Sequence, residues 1–172
     1  MLIREAAPDD WPAIWSFMEG IVRAGETYCL DRAMTEAQAR QMWFPEPPGR
    51  VFAAVDPAGA GTAAAAADGT VLGTAKLVRN HGGGAAHISG ASFMVDPACS
   101  GRGVGRALGE HVLAQARADG YRAMQFNEVV ETNTAAVRLW RSLGFEVLAT
   151  LPEGFHHPVR GYVGLHIMYR RL

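Results

Sequence analysis

The chain has 172 residues, 49% hydrophobic and 19% charged, which fits one packed domain, 1–172, with a single core and excludes a disordered polymer. Its 16 basic and 17 acidic residues leave a formal charge of −1, so nothing in the balance points to nucleic acid, which needs a clustered basic face. No stretch approaches the ~20 apolar residues that span a bilayer. Met1–Trp15 carries Arg4, Glu5, Asp9 and Asp10 and lacks a signal-peptide pattern, so a cytoplasmic protein without membrane contact is expected. Cys29 and Cys99 match no metal spacing and read as free thiols; no metal is expected.

Leu2–Glu5 reads as a first strand. Asp9 or Asp10 then caps a helix over Trp11–Ala24, with Ile14, Trp15, Met18, Ile21 and Val22 on its buried face. Thr35, with Glu36 and Gln38 after it, starts a second short helix that ends near Phe44, before Pro45. Val51–Val55 and Val71–Val78 are strands, and the low-complexity run Pro57–Asp68 between them reads as a mobile hairpin connection. Ala86–Val95 is a strand interrupted by Ser89 and Gly90, where a glycine marks a bulge or a close backbone approach. A helix over Gly103–Asp119, a strand Tyr121–Phe126, and a helix from the cap Asn133 to Leu143 follow, the last closed by Gly144. Phe145–Leu151 and Tyr162–Tyr169 complete an α/β domain with a mixed sheet. Leu151–Gly161, with Phe155, His156 and His157, reads as a loop facing a pocket. Adjacent histidines of an extended segment point opposite ways and do not share a metal.

The sharpest local feature is Val95–Leu108, in which a strand ends, three glycines follow at alternating positions, and a helix begins directly. Ser100, Gly101, Arg102, Gly103, Val104, Gly105 and Arg106 offer backbone amides at a helix N-terminus, an arrangement that binds anions, most often phosphate. Arg102 and Arg106 add charge beside it. An ordinary glycine-rich turn is the plain alternative. A Walker loop is excluded by the missing lysine, and a G-x-G-x-x-G dinucleotide fingerprint is incomplete, although Glu128 falls near the place of a ribose-binding carboxylate. Coenzyme A is the third reading.

The turn Ser100-Gly-Arg-Gly103-Val-Gly105 resembles motif A of the GNAT acetyltransferases, with serine in place of the leading Gln or Arg. Asn133-Thr-Ala-Ala136 through Leu139-Trp140 to Leu143-Gly144-Phe145 resembles the same family's later N-x-x-A…L-Y-x-x-x-G-F motif at the matching distance. The resemblance covers Ala86–Leu148. It implies a GNAT fold: a mixed, mostly antiparallel sheet of six to seven strands, splayed between the fourth and fifth, with about four helices. It implies acetyl-CoA as the acyl donor and an amine as acceptor. A looser likeness, through Met124–Val130, Thr132-Asn133, Leu139-Trp140 and Thr150–Pro152, is to bacterial relatives of the proline-analogue (azetidine-2-carboxylate) N-acetyltransferases. Their fifth-strand asparagine corresponds to Asn127, whereas their fourth-strand asparagine is Gly90 here.

Further implications concern the site. Phe93 and Met94 are the candidates whose backbone N–H polarises the thioester oxygen, and Val95 the one that pairs with pantetheine. Asn127 could orient the acceptor or a water, or could simply satisfy a strand end. His87 and Glu128 are candidate bases, with ordered water as the alternative; Glu26, Tyr28 and Asp31 border the acceptor side. Asn133 reads first as a helix cap. Trp140 stands where the family often has a tyrosine acid, and an indole supplies no comparable proton, so it packs on pantetheine or belongs to the core. The expected partner is a small-molecule amine, with homodimerisation expected from the family habit alone. Two rivals stay open: a protein or peptide N-acetyltransferase, and a non-catalytic acyl-CoA-binding module.

Overall fold

The computed structural model describes residues 1–58, 65–66 and 69–172. The strands are β1 (Leu2–Glu5), β2 (Arg50–Asp56), β3 (Ala65–Ala66), β4 (Gly69–Arg79), β5 (Ile88–Val95), β6 (Ala123–Val130), β7 (Glu146–His157) and β8 (Gly161–Arg171). The helices are α1 (Trp11–Ala24), α2 (Glu36–Trp43), α3 (Val104–Ala118) and α4 (Thr134–Ser142). Seven strands line up as β1-β2-β4-β5-β6-β8-β7, and β3 pairs with the start of β4. Neighbours on this path are antiparallel except β5 and β6, which run parallel. This is the expected α/β architecture with a mixed, mostly antiparallel sheet. Most of the hairpin connection expected over Pro57–Asp68 lies outside the described residues.

Both faces of the sheet are covered, which is why consecutive residues of its central strands are apolar. In β2, Val51, Ala53 and Val55 join the α1–α2 core of Trp11, Ile14, Phe17, Met18 and Trp43. Their neighbours Phe52 and Ala54 join the α3–α4 core of Leu108, Val112, Met124, Phe126 and Trp140. The buried polar pair between the two faces is satisfied: the Trp43 indole donates to Thr74 Oγ1 at 3.0 Å, and that hydroxyl donates to the Phe52 carbonyl at 2.9 Å.

Three local expectations change. Thr35 and Gln38 do form a reciprocal capping box on α2, but Asp10 does not cap α1 with its side chain. Its carboxylate instead takes the Ala7 N–H at 2.7 Å and both Arg4 guanidinium nitrogens at 2.7 and 2.9 Å. The segment read as the loop Leu151–Gly161 is mostly strand: β7 continues to His157, with a register shift against β8 between Leu151 and Phe155, and turns into β8. His157 is buried and accepts the Val159 and Arg160 N–H groups at 3.2 and 3.3 Å, so it closes the hairpin turn, while His156 stacks on Tyr162 at 4.6 Å. No pocket-facing loop exists there.

The third change is the bulge. The β4–β5 register runs without a shift from Gly73–Val95 to Arg79–Ser89, so Ser89–Gly90 carries none against β4. The shift lies one strand away, in β6, between Phe126–Met168 and Val129–His166. One extra residue is accommodated at Asn127–Glu128, and both side chains are exposed between buried neighbours.

Candidate active site

β5 and β6 pair only at Ile88–Ala123 and Ser89–Met124, and then part. Ser89 is fully buried at this fork, and its hydroxyl donates to the Ala123 carbonyl at 3.1 Å. Beyond it a cavity of about 310 Å³ opens through the sheet. Its walls are β4 (Lys76) with Asn80 just past its end, β5 (Gly90, Ser92, Phe93) and β6 (Gln125, Asn127, Glu128), with the α1–α2 loop over one side and α4 on the other.

Strand parity decides which amides face the opening. Asn80 N–H donates to the Ile88 carbonyl and Asp96 N–H to the Leu72 carbonyl, each at 2.9 Å. Even-numbered residues of β5 therefore bond β4, and odd-numbered ones point the other way. Phe93 and Val95 present N–H and C=O to the fork. Met94, the other candidate for thioester contact, turns its amide to β4, and its side chain is buried in the α1–α2 core. Phe93 is held from both sides: its carbonyl accepts a hydrogen bond from the Tyr28 hydroxyl, and its ring packs 4.7 Å from Trp140. Burial raises the Tyr28 phenol well above its ordinary value, against the lowering effect of the Phe93 carbonyl bond, so it stays protonated.

Trp140 belongs to the core. It is buried and packs against Phe93, Phe126 and Phe145 while its edge reaches the cavity. Asn133 accepts the Ala136 N–H at 3.2 Å, the cap geometry expected of it, and also lines the cavity.

The glycine turn continues β5 at the same end of the fork. Gly101 and Gly103 both adopt φ 79°, a left-handed conformation that side chains resist, and Gly103 is the N-cap of α3. A Cβ at either position would meet no atom within 4 Å, so the turn is an open cradle. The first bond into α3 is Ala107 N–H to the Gly103 carbonyl, which leaves Val104, Gly105 and Arg106 as first-turn amides without helical partners. These groups fit a phosphate-bearing ligand. Ser100 is exposed between the Pro97–Cys99 turn and Gly101. Arg102 and Arg106 are engaged elsewhere: Arg102 pairs with Asp56 at 3.2 Å, and Arg106 reaches Glu110 at 3.4 Å and Ser142 at 2.7 Å. Both are exposed, so these pairs are weak and exchangeable.

The structure brings Asn127 and Glu128 to the cavity but leaves His87 out. His87 lies six residues before Phe93, about 20 Å along an extended strand. It sits in the turn just before β5, not within a strand as expected, with its carbonyl accepting the Arg122 N–H at 2.9 Å, and lines a separate groove with Arg79 and Tyr121. Two polar residues take its place in the cavity, Lys76 on β4 and Asn80 just past the end of that strand. Their signal was the period-two spacing Lys76-x-Val78-x-Asn80, hidden because an isolated polar residue in a strand reads as solvent-facing. Among the described residues no cluster of three potential metal ligands occurs.

A sheet forked between parallel strands, with a glycine cradle at the head of the following helix, is the frame of an acyltransferase. The Acetyltransferase (GNAT) family matches residues 22–145. The N-acetyltransferase aca1 of Schizosaccharomyces pombe is 30% identical over 159 residues, covering 88% of this chain and 75% of that protein. A GCN5-related N-acetyltransferase from Kribbella flavida superposes with a TM-score of 0.90 at 53% identity, covering 99% of this chain and 97% of that one. The protein yncA of Salmonella typhimurium, solved with its cofactor acetyl-CoA, gives 0.80 at 26% identity, covering 100% and 94%. The chain belongs to the Acetyltransferase (GNAT) family and is an N-acetyltransferase.

Proposed function

We propose that the chain transfers the acetyl group of acetyl-CoA to the amine of a small molecule, an amino acid or a related amine. Acetyl-CoA-dependent transfer goes with family membership; the small acceptor is supported by the cavity. At about 310 Å³ it lies at the lower end of ligand-sites and is roofed by Thr27, Tyr28 and Cys29 of the α1–α2 loop. That roof is the observation that carries the reading.

Acetyl-CoA supplies the thioester carbonyl and the pyrophosphate. The Phe93 N–H polarises the thioester oxygen, Val95 offers backbone pairing to the pantetheine arm, and the amides of Gly103 to Arg106 take the pyrophosphate. Asn127 orients the acceptor, and Glu128 takes the proton that the amine loses. Trp140 shapes the wall between them without moving a proton. The departing thiolate, with a free-thiol pKa near ~8.5, takes its proton from water.

One finding favours a peptide acceptor instead. β7 runs on as strand rather than folding over the cavity, which leaves the α1–α2 loop to cover the side opposite α4. The two readings separate in one assay, thiol release from acetyl-CoA against a panel of amino acids, simple amines and short peptides. Turnover of the small acceptors is expected. Turnover of peptides alone would replace the proposal, and coenzyme A binding with no turnover on any acceptor would leave a non-catalytic module.

A further inference from the structure

The cavity has a simple charge layout. Of its lining residues Lys76 is the one cation and Glu128 the one carboxylate, and they stand on β4 and β6, the strands on either side of β5. Lys76 is half-buried, yet no carboxylate among the described residues pairs with it. Its Nζ donates to the Met42 carbonyl at 3.0 Å, lies 3.6 Å from Met42 Sδ, and sits 5.4 Å from the centre of the Trp43 ring. The Met42 carbonyl belongs to the last turn of α2, where a cation is favoured by the helix dipole but not neutralised. Desolvation, with no anion opposing it, holds the ammonium below the usual lysine range. A half-buried ammonium with unused donors, open to a ligand cavity, is a site for an anion.

Its register says which part of the acceptor that anion is. Lys76 stands directly across from Ser92, next to Phe93, whose N–H faces the fork. An anion held at Lys76 therefore lies beside the reacting carbonyl rather than at the far end of the cavity. In an α-amino acid the carboxylate is one carbon from the amine, so a carboxylate held at Lys76 keeps the nitrogen on the Ser92–Phe93 side of the cavity. We infer that Lys76 reads the acceptor's carboxylate and that the acceptor is a zwitterionic α-amino acid rather than a simple amine. This rests on the proposed acetyl transfer.

The test compares three acceptors that share one side chain: the amino acid, its carboxamide, and the decarboxylated amine. The wild-type protein should favour the amino acid. Lys76→Met keeps the aliphatic stem against Trp43 and removes the charge. It should lower kcat/KM for the amino acid by about 10- to 100-fold, mainly through KM, and change little for the other two, as expected for one charge-assisted contact. Lys76→Arg should recover part of the loss. Equal decline for all three acceptors, or a fall in Tm alone, would reduce Lys76 to a cap on α2 and overturn the inference. If Lys76→Met does not fold, the wild-type comparison still decides, because equal use of the amine and the amino acid overturns it. Absence of turnover with every acceptor while coenzyme A binds sinks the proposed transfer itself, a different outcome from lost selectivity.

Discussion

Asn80 and Asn127 bridge the mouth of the fork by exchanging two hydrogen bonds: Asn127 Nδ2 donates to Asn80 Oδ1 at 2.7 Å, and Asn80 Nδ2 donates back at 3.2 Å. The bridge passes over Gly90, where a Cβ would lie 3.2 Å from Asn80 Oδ1. Gln125 Nε2 also donates to Asn127 Oδ1, at 2.7 Å, so both lone pairs of that oxygen are used. Asn127 can therefore meet a ligand only as a donor, through its remaining N–H. Asn80→Ala should free the carboxamide and lower kcat/KM by roughly 10-fold, the equivalent of ~1.4 kcal/mol, with little change in Tm because the bonds are exposed. Gly90→Ala should act in the same direction by displacing Asn80. Unchanged kinetics in well-folded variants would show that the bridge has no part in turnover.

Much of this frame is legible in residue order alone. Alternating glycines before a helix announce the cradle, and the Asn133 to Phe145 spacing announces the helix that closes it. What residue order does not carry is register. Gly90 suggested a bulge or a close approach in β5; the close approach holds, since the glycine is the gap that lets Asn80 cross the strand, and the extra residue lies at Asn127–Glu128. Met94 and Phe93 are adjacent in sequence and opposite in parity, which is known only once Asn80 is seen to pair with Ile88. His87 looked close to the site because sequence distance is short; a strand turns six residues into two nanometres. Lys76 was invisible because its role depends on lacking a carboxylate partner among the described residues, a property of the fold.

The thiol of Cys29 provides a pH-dependent probe of the site's entrance. Partial burial, the charge of Glu128 and a hydrogen bond to that carboxylate push it up to about 11. A thiol raised in the folded state favours folding below its unfolded value near 9, and that contribution is lost as the pH rises through about 11. At pH 8 Cys29 should therefore be alkylated slowly despite its exposure, since the thiolate is the nucleophile. Glu128→Gln removes the charge and should speed alkylation several-fold at that pH. Equal rates in the two proteins, followed by mass of the modified peptide, would show that Glu128 does not face Cys29 in solution.

The glycine turn separates binding from folding. At φ 79° an alanine costs about 1–2 kcal/mol of backbone strain wherever space is free. Gly101→Ala and Gly103→Ala should both lower Tm by a few degrees. If the amides of this turn hold the pyrophosphate, coenzyme A affinity should fall further than stability does, by about 10-fold or more at Gly103, where the side chain enters the open cradle. Calorimetric titration with coenzyme A, run well below the melting temperature, isolates that loss. Native affinity in folded Gly103→Ala would move the phosphate site elsewhere.

Trp140 tests whether its place in the chain means chemistry or packing. The indole is wedged among Phe93, Phe126 and Phe145, and α4 can bring it there because α3 has a glycine at the crossing. A Cβ on Gly109 would lie 2.7 Å from Leu143 Cδ1 and 3.3 Å from Trp140 Cζ3. Gly109→Ala must therefore push α4 outward, and should cost about 1–3 kcal/mol as overpacking and tilt the ring that supports Phe93. Trp140→Ala should cost about 3–5 kcal/mol through the cavity it leaves. Trp140→Phe keeps an aromatic wall and should retain most of kcat with an unchanged pH profile, because no proton passes through the indole. A kcat collapse in folded Trp140→Phe, with coenzyme A affinity intact, would instead place the ring in the chemical step.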